Sequence, residues 1–355
     1  MKKTLALILA LAMCLALAAC GNGNTSTPTP STSTPAASTP AASTPAASTP
    51  DNSTPGSGPM DGGSSLQFTT GGDQGTYFGF GGVLASKISE TTSTQVTAIT
   101  SGGSQANIEA MDMGDAQLGF VQTDVGAYAY NGERLFEDNK IDNFSTVANL
   151  YMEQVQIVTL NPDIKSVADL KGKAVSVGAA GSGVFYNAVD VLGAYGLDVD
   201  ADISATYQSF GDSTEALQDG KIDAAFVVAG APTTAVTSLS ATKPVYLVSL
   251  DDEHIDALIA ASPYYSKNVI AKDVYNTPED VTTVAVGAVV IARNDVSEAD
   301  VYNFLYGVFN HLDDITTAHA KGAELSLEFA ASYGAVPYHP GAVKFFAEQG
   351  ITPGK

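Results

Sequence analysis

The feature that most constrains this chain is a unit that occurs twice. A strand-like run, Leu66-Gln67-Phe68-Thr69-Thr70, leads into Gly71-Gly72-Asp73-Gln74-Gly75-Thr76-Tyr77, and helical spacing follows through Val83, Leu84 and Ile88. A second strand, Gln95 to Ile99, ends at Ser101-Gly102-Gly103-Ser104. After another helix and Gly114, the strand Gln117 to Val121 closes on Gln122-Thr123-Asp124. The order then returns. Ala174 to Val177 leads into Gly178-Ala179-Ala180-Gly181-Ser182-Gly183, and a helix starts at Val184. A strand from Ile203 to Gln208 precedes Phe210-Gly211-Asp212-Ser213, a helix ends at Gly220, and a strand from Asp223 to Val228 precedes Gly230-Ala231-Pro232-Thr233. Gly72, Gly75, Thr76, Gly114, Phe120 and Val121 become Gly178, Gly181, Ser182, Gly220, Phe226 and Val227, each 106 residues later. Six matches at one offset suggest duplication, although shared α/β grammar alone would also give the alternation. Either origin gives two lobes.

Alternating strands and helices predict an α/β fold in which each lobe is an open, mostly parallel sheet flanked by helices. Ligands of such sheets bind at the carboxyl ends of the strands. Here those ends carry small or polar residues, and each following helix offers unpaired backbone N–H groups. Two lobes would set these helix starts facing one another, an arrangement that favours an anion. The chain must cross between lobes, at Val147 to Thr159 and again at Thr282 to Val290. Two crossing strands make a hinge. The expected boundaries are residues 66–153 for the first part of lobe 1, 154–282 for lobe 2, and 283–355 for the rest of lobe 1. Helices around Val301–Leu312 and Ala318–Ala331 are expected to pack on lobe 1.

The preceding residues read as an address and a tether. Lys2 and Lys3 precede an apolar run from Leu5 to Ala19, which is the pattern of an export signal over residues 1–20. The run ends Leu17-Ala18-Ala19-Cys20-Gly21, which resembles a bacterial lipobox and implies lipidation of Cys20. The protein would then be anchored to the outer face of the bacterial cell membrane. An ordinary cleaved signal with an incidental Cys20 is the alternative. Residues 21–65 repeat Ser-Thr-Pro-Ala-Ala and hold eight of the 16 prolines, so they cannot bury a core. They are expected to form a disordered tether.

Composition excludes other classes. There are 38 acidic against 16 basic residues, for a net charge of −22, which argues against a nucleic-acid partner. It does not exclude an anionic ligand, because a local field can oppose the net charge. The two cysteines, Cys14 and Cys20, both lie in the signal, so the folded part has neither a disulfide framework nor a Cys metal site. No P-loop, dinucleotide fingerprint, His/Asp metal cluster or G-x-S-x-G elbow is visible. No catalytic residue, metal or cofactor is therefore expected. Ser182 reads as a helix cap and ligand donor. As a nucleophile it would make the chain a cell-surface hydrolase, the weakest of the functional readings. Asp124 and Asp212, near helix starts, read first as N-caps. The functional reading of Asp124 and Asp212 is pairing with the ammonium group of an amino-acid ligand, and Asp73 in its Gly-rich loop is also a candidate for a ligand role.

Taken in order, Gly71-Gly72-x-x-Gly75-Thr76-Tyr77, Ser101-Gly102-Gly103-Ser104, Phe120-Val121-Gln122-Thr123-Asp124, Ser166 to Lys173, Gly178 to Gly183 and Gly230-Ala231-Pro232-Thr233 form an ordered set. It resembles the TAXI-type solute receptors of TRAP transporters over nearly all of residues 66–355. The resemblance implies a periplasmic-binding-protein-like fold and a small carboxylate ligand such as glutamate. It also implies delivery to a TRAP-type membrane permease driven by an ion gradient. Carried over, Gly75, Thr76 and Tyr77 line the first lobe's wall with Ser104 and Gln122. Gly181, Ser182 and Gly183 supply the second lobe's N–H groups, with Thr233 close by. The chain departs from the family at Tyr77-Phe78-Gly79, often Tyr-Tyr-Pro, at Val184, often Thr, and at Asp73, commonly small and neutral. These departures bear on ligand identity. Two alternatives keep the fold: an ABC-type importer's receptor for another small anion, such as a phosphonate or sulfonate, and a ligand-sensing ectodomain.

Overall fold

A computed structural model describes residues 58–355. The export signal, Cys20 and the tether as far as residue 57 lie outside the described residues. The first lobe begins with β1 (Ser65–Thr69), α1 (Thr76–Thr91), β2 (Gln95–Ile99), α2 (Ser104–Met113), β3 (Leu118–Gln122) and α3 (Thr123–Asn131). The long strand β4 (Phe144–Thr159) then crosses. The second lobe repeats the pattern with β5 (Ala174–Ser176), α4 (Val184–Ala194), β6 (Ser204–Thr206), α5 (Phe210–Gln218), β7 (Ala224–Ala229) and α6 (Thr234–Ser240). It is completed by β8 (Tyr246–Leu247), α7 (Asp252–Ala261) and β9 (Ser266–Ile270). The return strand β10 (Val281–Arg293) leads to α8 (Glu298–Phe309), α9 (Leu312–Ala318), α10 (Leu327–Ala330) and α11 (Pro340–Glu348). Among the described residues no helix is long and apolar enough to cross a membrane.

One sheet runs through both lobes in the order β2-β1-β3-β10-β4-β7-β5-β6. In lobe 1, β1 lies between β2 and β3, parallel to both, and β10 is antiparallel to β3. In lobe 2, β5 lies between β6 and β7, parallel to both, and β4 is antiparallel to β7. Each half therefore has the same order and the same sense, with a long strand from the opposite direction beside its third strand. The repeat extends to single residues. Gly114 closes α2 at φ +89°, and Gly220 follows α5 at φ +67°, left-handed conformations that glycine adopts without a Cβ clash.

Both long strands belong to both lobes. Ala288 to Ala292 of β10 pair with β3, whereas Val281 to Ala285 pair with β9. Gln154 to Thr159 of β4 pair with β7. The ribbon they form carries register shifts at Ala288/Val289 and Val290/Ile291. Such bulges bend and twist a strand pair locally. Separate apolar clusters fill the lobes. Phe68, Phe80, Phe120, Phe304 and Phe345 are buried in lobe 1, and Val175, Leu192, Phe226 and Ile255 in lobe 2.

Two sequence expectations need correction. The tether, taken to residue 65, ends earlier. Met60 exchanges backbone hydrogen bonds with the Asn303 side chain, and the Ser64 N–H and hydroxyl both donate to the Asp300 carboxylate. The helix expected over Ala318–Ala331 is broken into a 3-10 turn at Ala320–Glu324 and the short α10. His319 and Ser326 cap the new starts with their own side chains, which ends the preceding turn each time.

Candidate functional site

The loops at the carboxyl ends of β1, β2 and β3 meet those after β5, β6 and β7 around a partly open space of about 80 Å³. Lobe 1 contributes Gly75, Thr76, Tyr77, Ser104 and Gln122 to its wall; lobe 2 contributes Ser182, Gly183, Val184 and Phe210; Glu153 of β4 lies at its floor. Gly75 and Gly183 are the N-caps of α1 and α4, and neither start has a side-chain cap. Glycine leaves the first-turn N–H groups open on both sides of the space, where an anion would complete them.

Polar atoms along the wall divide into committed and free. Thr76 Oγ1 donates to the Gly230 carbonyl across the cleft at 2.8 Å. Ser104 Oγ accepts from Gln122 N at 3.1 Å. Gln122 Nε2 donates to Asn187 Oδ1 at 2.8 Å. Gln122 Oε1 and Ser182 Oγ are buried without a hydrogen-bond partner among the described residues. Buried polar atoms are normally paired, so these two are available to a ligand. Among the described residues no base is hydrogen-bonded to Ser182 Oγ.

Tyr77 stacks on Phe120 with ring centroids 4.6 Å apart, and its hydroxyl donates to Glu153 Oε2 at 2.7 Å. Burial holds the Glu153 carboxyl well above the usual carboxylate range, while the Tyr77 hydroxyl and the Lys321 charge oppose that rise. Burial, then the adjacent carboxylate, raises the Tyr77 hydroxyl as well.

Two helix starts grip the opposite lobe instead of the space. Ala106 N, in the first turn of α2, donates to the Gly181 carbonyl at 3.0 Å. Ala235 N, at the start of α6, donates to the Gln74 carbonyl at 3.1 Å. Glycine makes the approach possible. A Cβ on Gly183 would lie 1.5 Å from Gln122 Oε1, and one on Gly102 would lie 2.9 Å from the Ala180 carbonyl.

The structure thus brings together Gly75, Thr76, Tyr77, Ser104, Gln122, Ser182 and Gly183. It sets four other sequence candidates off the wall. Gly181 faces α2 with its carbonyl. Thr233 is buried, donating its N–H to Tyr275 and accepting from Gln156. Asp73 is exposed on its turn. Asp124 is fully buried one layer back, accepting from Asn187 Nδ2 at 2.9 Å and from Val125 N. Neither expected aspartate cap forms. Ser209 caps α5 by accepting from Asp212 N, and α3 starts at Gln122 without a side-chain cap. Sequence reasoning missed Glu153 and Phe210. An acid inside an otherwise buried crossing strand was the available signal for Glu153.

The paired lobes, the shared ribbon and the cleft at the strand ends define a two-lobed periplasmic-binding-protein-like fold. The sequence profile of the NMT1-like family matches residues 68–350, and the chain belongs to that family. Solved structures of similar shape include the periplasmic aliphatic sulphonate binding protein SsuA from Escherichia coli, at 16% identity and TM-score 0.42, covering 81% of this chain and 84% of that one. The GluR0 ligand-binding core from Nostoc punctiforme in complex with L-glutamate matches at 16% identity and TM-score 0.43, covering 73% and 99%. A putative L-cystine ABC transporter from Listeria monocytogenes matches at 15% identity and TM-score 0.47, covering 74% and 98%.

Proposed function

We propose that the chain is an extracytoplasmic solute-binding receptor, not an enzyme, that closes its two lobes over a small anion and passes it to a membrane importer. The observation that carries this reading is the pair of uncapped helix starts, from α1 and α4, on the walls that the two lobes contribute to one space. Each lobe holds half of the donors, so a ligand gains both sets only in the closed form, and it stabilises that form by the difference. The donors are backbone N–H groups and hydroxyls, which suit a carboxylate. Neither arginine takes part, since Arg134 pairs with Asp190 and Arg293 with Asp295. The space as closed here has room for a few water-sized groups, at about 30 Å³ each.

As membrane partner an ABC-type importer stands ahead of a TRAP-type permease. The Listeria neighbour is described as a putative ABC transporter, whereas the TRAP-type permease, the TAXI subtype and a glutamate-like ligand rest on motif resemblance alone. A gene for an ATPase beside this one would support the first; a gene for a large TRAP-type permease would support the second. Lipid anchoring through Cys20 is part of the same reading. Metabolic labelling with a tagged fatty acid, lost in Cys20→Ser, tests it.

Gly183→Phe tests closure. Its φ is −69°, so the substitution adds bulk without backbone strain. The phenyl ring would occupy the place of Gln122. Affinity for any ligand found by calorimetric screening is expected to fall at least about tenfold, because only an open form then remains. Unchanged affinity would reject the assigned cleft.

A further inference from the structure

Glu153 is a charged wall residue whose chemistry the anion reading leaves unused. It lies where β4 stops pairing with β10 alone and begins to pair with β7: Glu153 stands opposite Val286, and Gln154 opposite both Ala285 and Ala229. A contact made there is made to the ribbon that both lobes share. The side chain is buried, at 2% exposure, and borders the same space as the two helix starts. Tyr77 occupies Oε2. Lys321, the nearby cation, is committed to Glu324 and lies against the Tyr151 ring. Among the described residues Glu153 has no ion-pair partner, and a buried carboxylate is costly until a cation or a proton meets it.

We propose that Glu153 receives the ammonium group of the ligand, so that the ligand class is a zwitterionic amino acid. Its carboxylate would lie at the starts of α1 and α4, and its amino group on the hinge carboxylate. The inference rests on the receptor reading above and narrows it. Each end of such a ligand meets the opposite charge: partial positive charge at the helix starts, full negative charge at the floor. Tyr77 ties the two ends together, because it sits in the first turn of α1 and its hydroxyl fixes one oxygen of Glu153. In the competing arrangement Glu153 is protonated and donates to a second acidic group, as a dicarboxylate would require.

Calorimetric titration separates these arrangements. The full chain is titrated with the proteinogenic L-amino acids and, beside each, the acid that lacks the α-amino group, together with methylphosphonate and ethanesulfonate. At least one amino acid is expected to bind, with its amine-free counterpart weaker by roughly 10- to 100-fold, the range of a hydrogen bond to a charged group. Glu153→Gln is expected to remove that preference, weakening the amino acid by a similar factor and leaving the amine-free acid within about threefold. An amine-free acid that binds as tightly as its amino acid overturns the inference, and so does a Glu153→Gln chain that keeps the preference. If Glu153→Gln does not fold, the wild-type comparison decides by itself. Binding of amine-free anions alone overturns the inference and keeps the receptor. Binding of no compound in the set overturns both.

Discussion

Asp124 shows how one residue behind the cleft wall makes the stability of the fold depend on pH. Burial raises its carboxyl to about 6, against the pull of the Val125 N–H and the Asn187 amide, and Asp190 adds repulsion. In the unfolded chain it titrates near its ordinary value, about 3.9. The folded state therefore holds this proton more tightly. The stabilisation is fully present below about pH 4 and is lost as pH rises through about 6, up to roughly 3 kcal/mol in all. Tyr128, Tyr264, Tyr265 and Tyr333 surround it, and each titrates far above this window. Asp124→Asn mimics the neutral form, so its stability relative to the wild type is expected to rise between pH 4 and pH 7 and to stay level below. Urea titrations of both chains across that range give the difference directly; a level difference throughout would reject the assignment. The same residue shows what sequence could reach. Small residues at strand ends mark the helix starts at which the structure places Gly75, Thr76, Ser182 and Gly183, and the family resemblance singled out these four. Asp124 and Glu153 look alike as acids in apolar segments. Only the pairing of β4 with both lobes puts one at the cavity floor and the other behind its wall.

At the scale of elements, the constant offset of 106 residues reached most of the architecture. It anticipated α2 and α5, β3 and β7, and the glycines that follow the two helices, because the paired elements start 106 residues apart, Ser104 with Phe210 and Leu118 with Ala224. It failed where side chains redirect the backbone. No hydrophobic period announces that residues 60–64 dock on α8, since they bring one Met and several small residues. What holds them is polar. Asp300, 1% exposed, accepts from Ser64 N at 2.8 Å, Ser64 Oγ at 2.6 Å, Thr94 Oγ1 at 2.8 Å and Ser297 Oγ at 2.7 Å. Burial would raise its pKa, yet these donors leave it lowered. Asp300→Ala strands several buried donors and is expected to destabilise the fold by about 2–4 kcal/mol. It should also release the segment before β1. Hydrogen exchange is expected to speed up at Met60 and Ser64 well before it does in β1, and equal protection of these positions in both chains would contradict the assigned anchor.

For the whole molecule, lobe closure as proposed above would depend also on contacts that the ligand does not make. Beyond the cleft wall, Asn187 of α4 donates to Asp124 and to Tyr265. Asp190, one turn on, accepts from Arg134 Nη2 at 2.7 Å and from the Tyr265 hydroxyl at 3.0 Å. Arg134 belongs to lobe 1 and its guanidinium lies 4.9 Å from the Tyr128 ring centre, so Asp190 and Arg134 bridge the lobes at a partly exposed position. Exposed pairs contribute about 0–1 kcal/mol, and this one has a tyrosine on each partner. Asp190→Ala removes the bridge without touching the cleft wall. The apparent dissociation constant equals the intrinsic one divided by the competent fraction, so a smaller closed fraction raises it in proportion. A rise of about two- to tenfold is expected, carried by faster dissociation, together with a weaker dependence of affinity on salt. Small-angle scattering supplies the independent measure. The unliganded Asp190→Ala chain is expected to have the larger radius of gyration, and saturating ligand should bring both chains to the same value. A mutant that loses affinity while its unliganded size is unchanged would place the effect of Asp190 in the ligand contacts and not in the balance of the lobes.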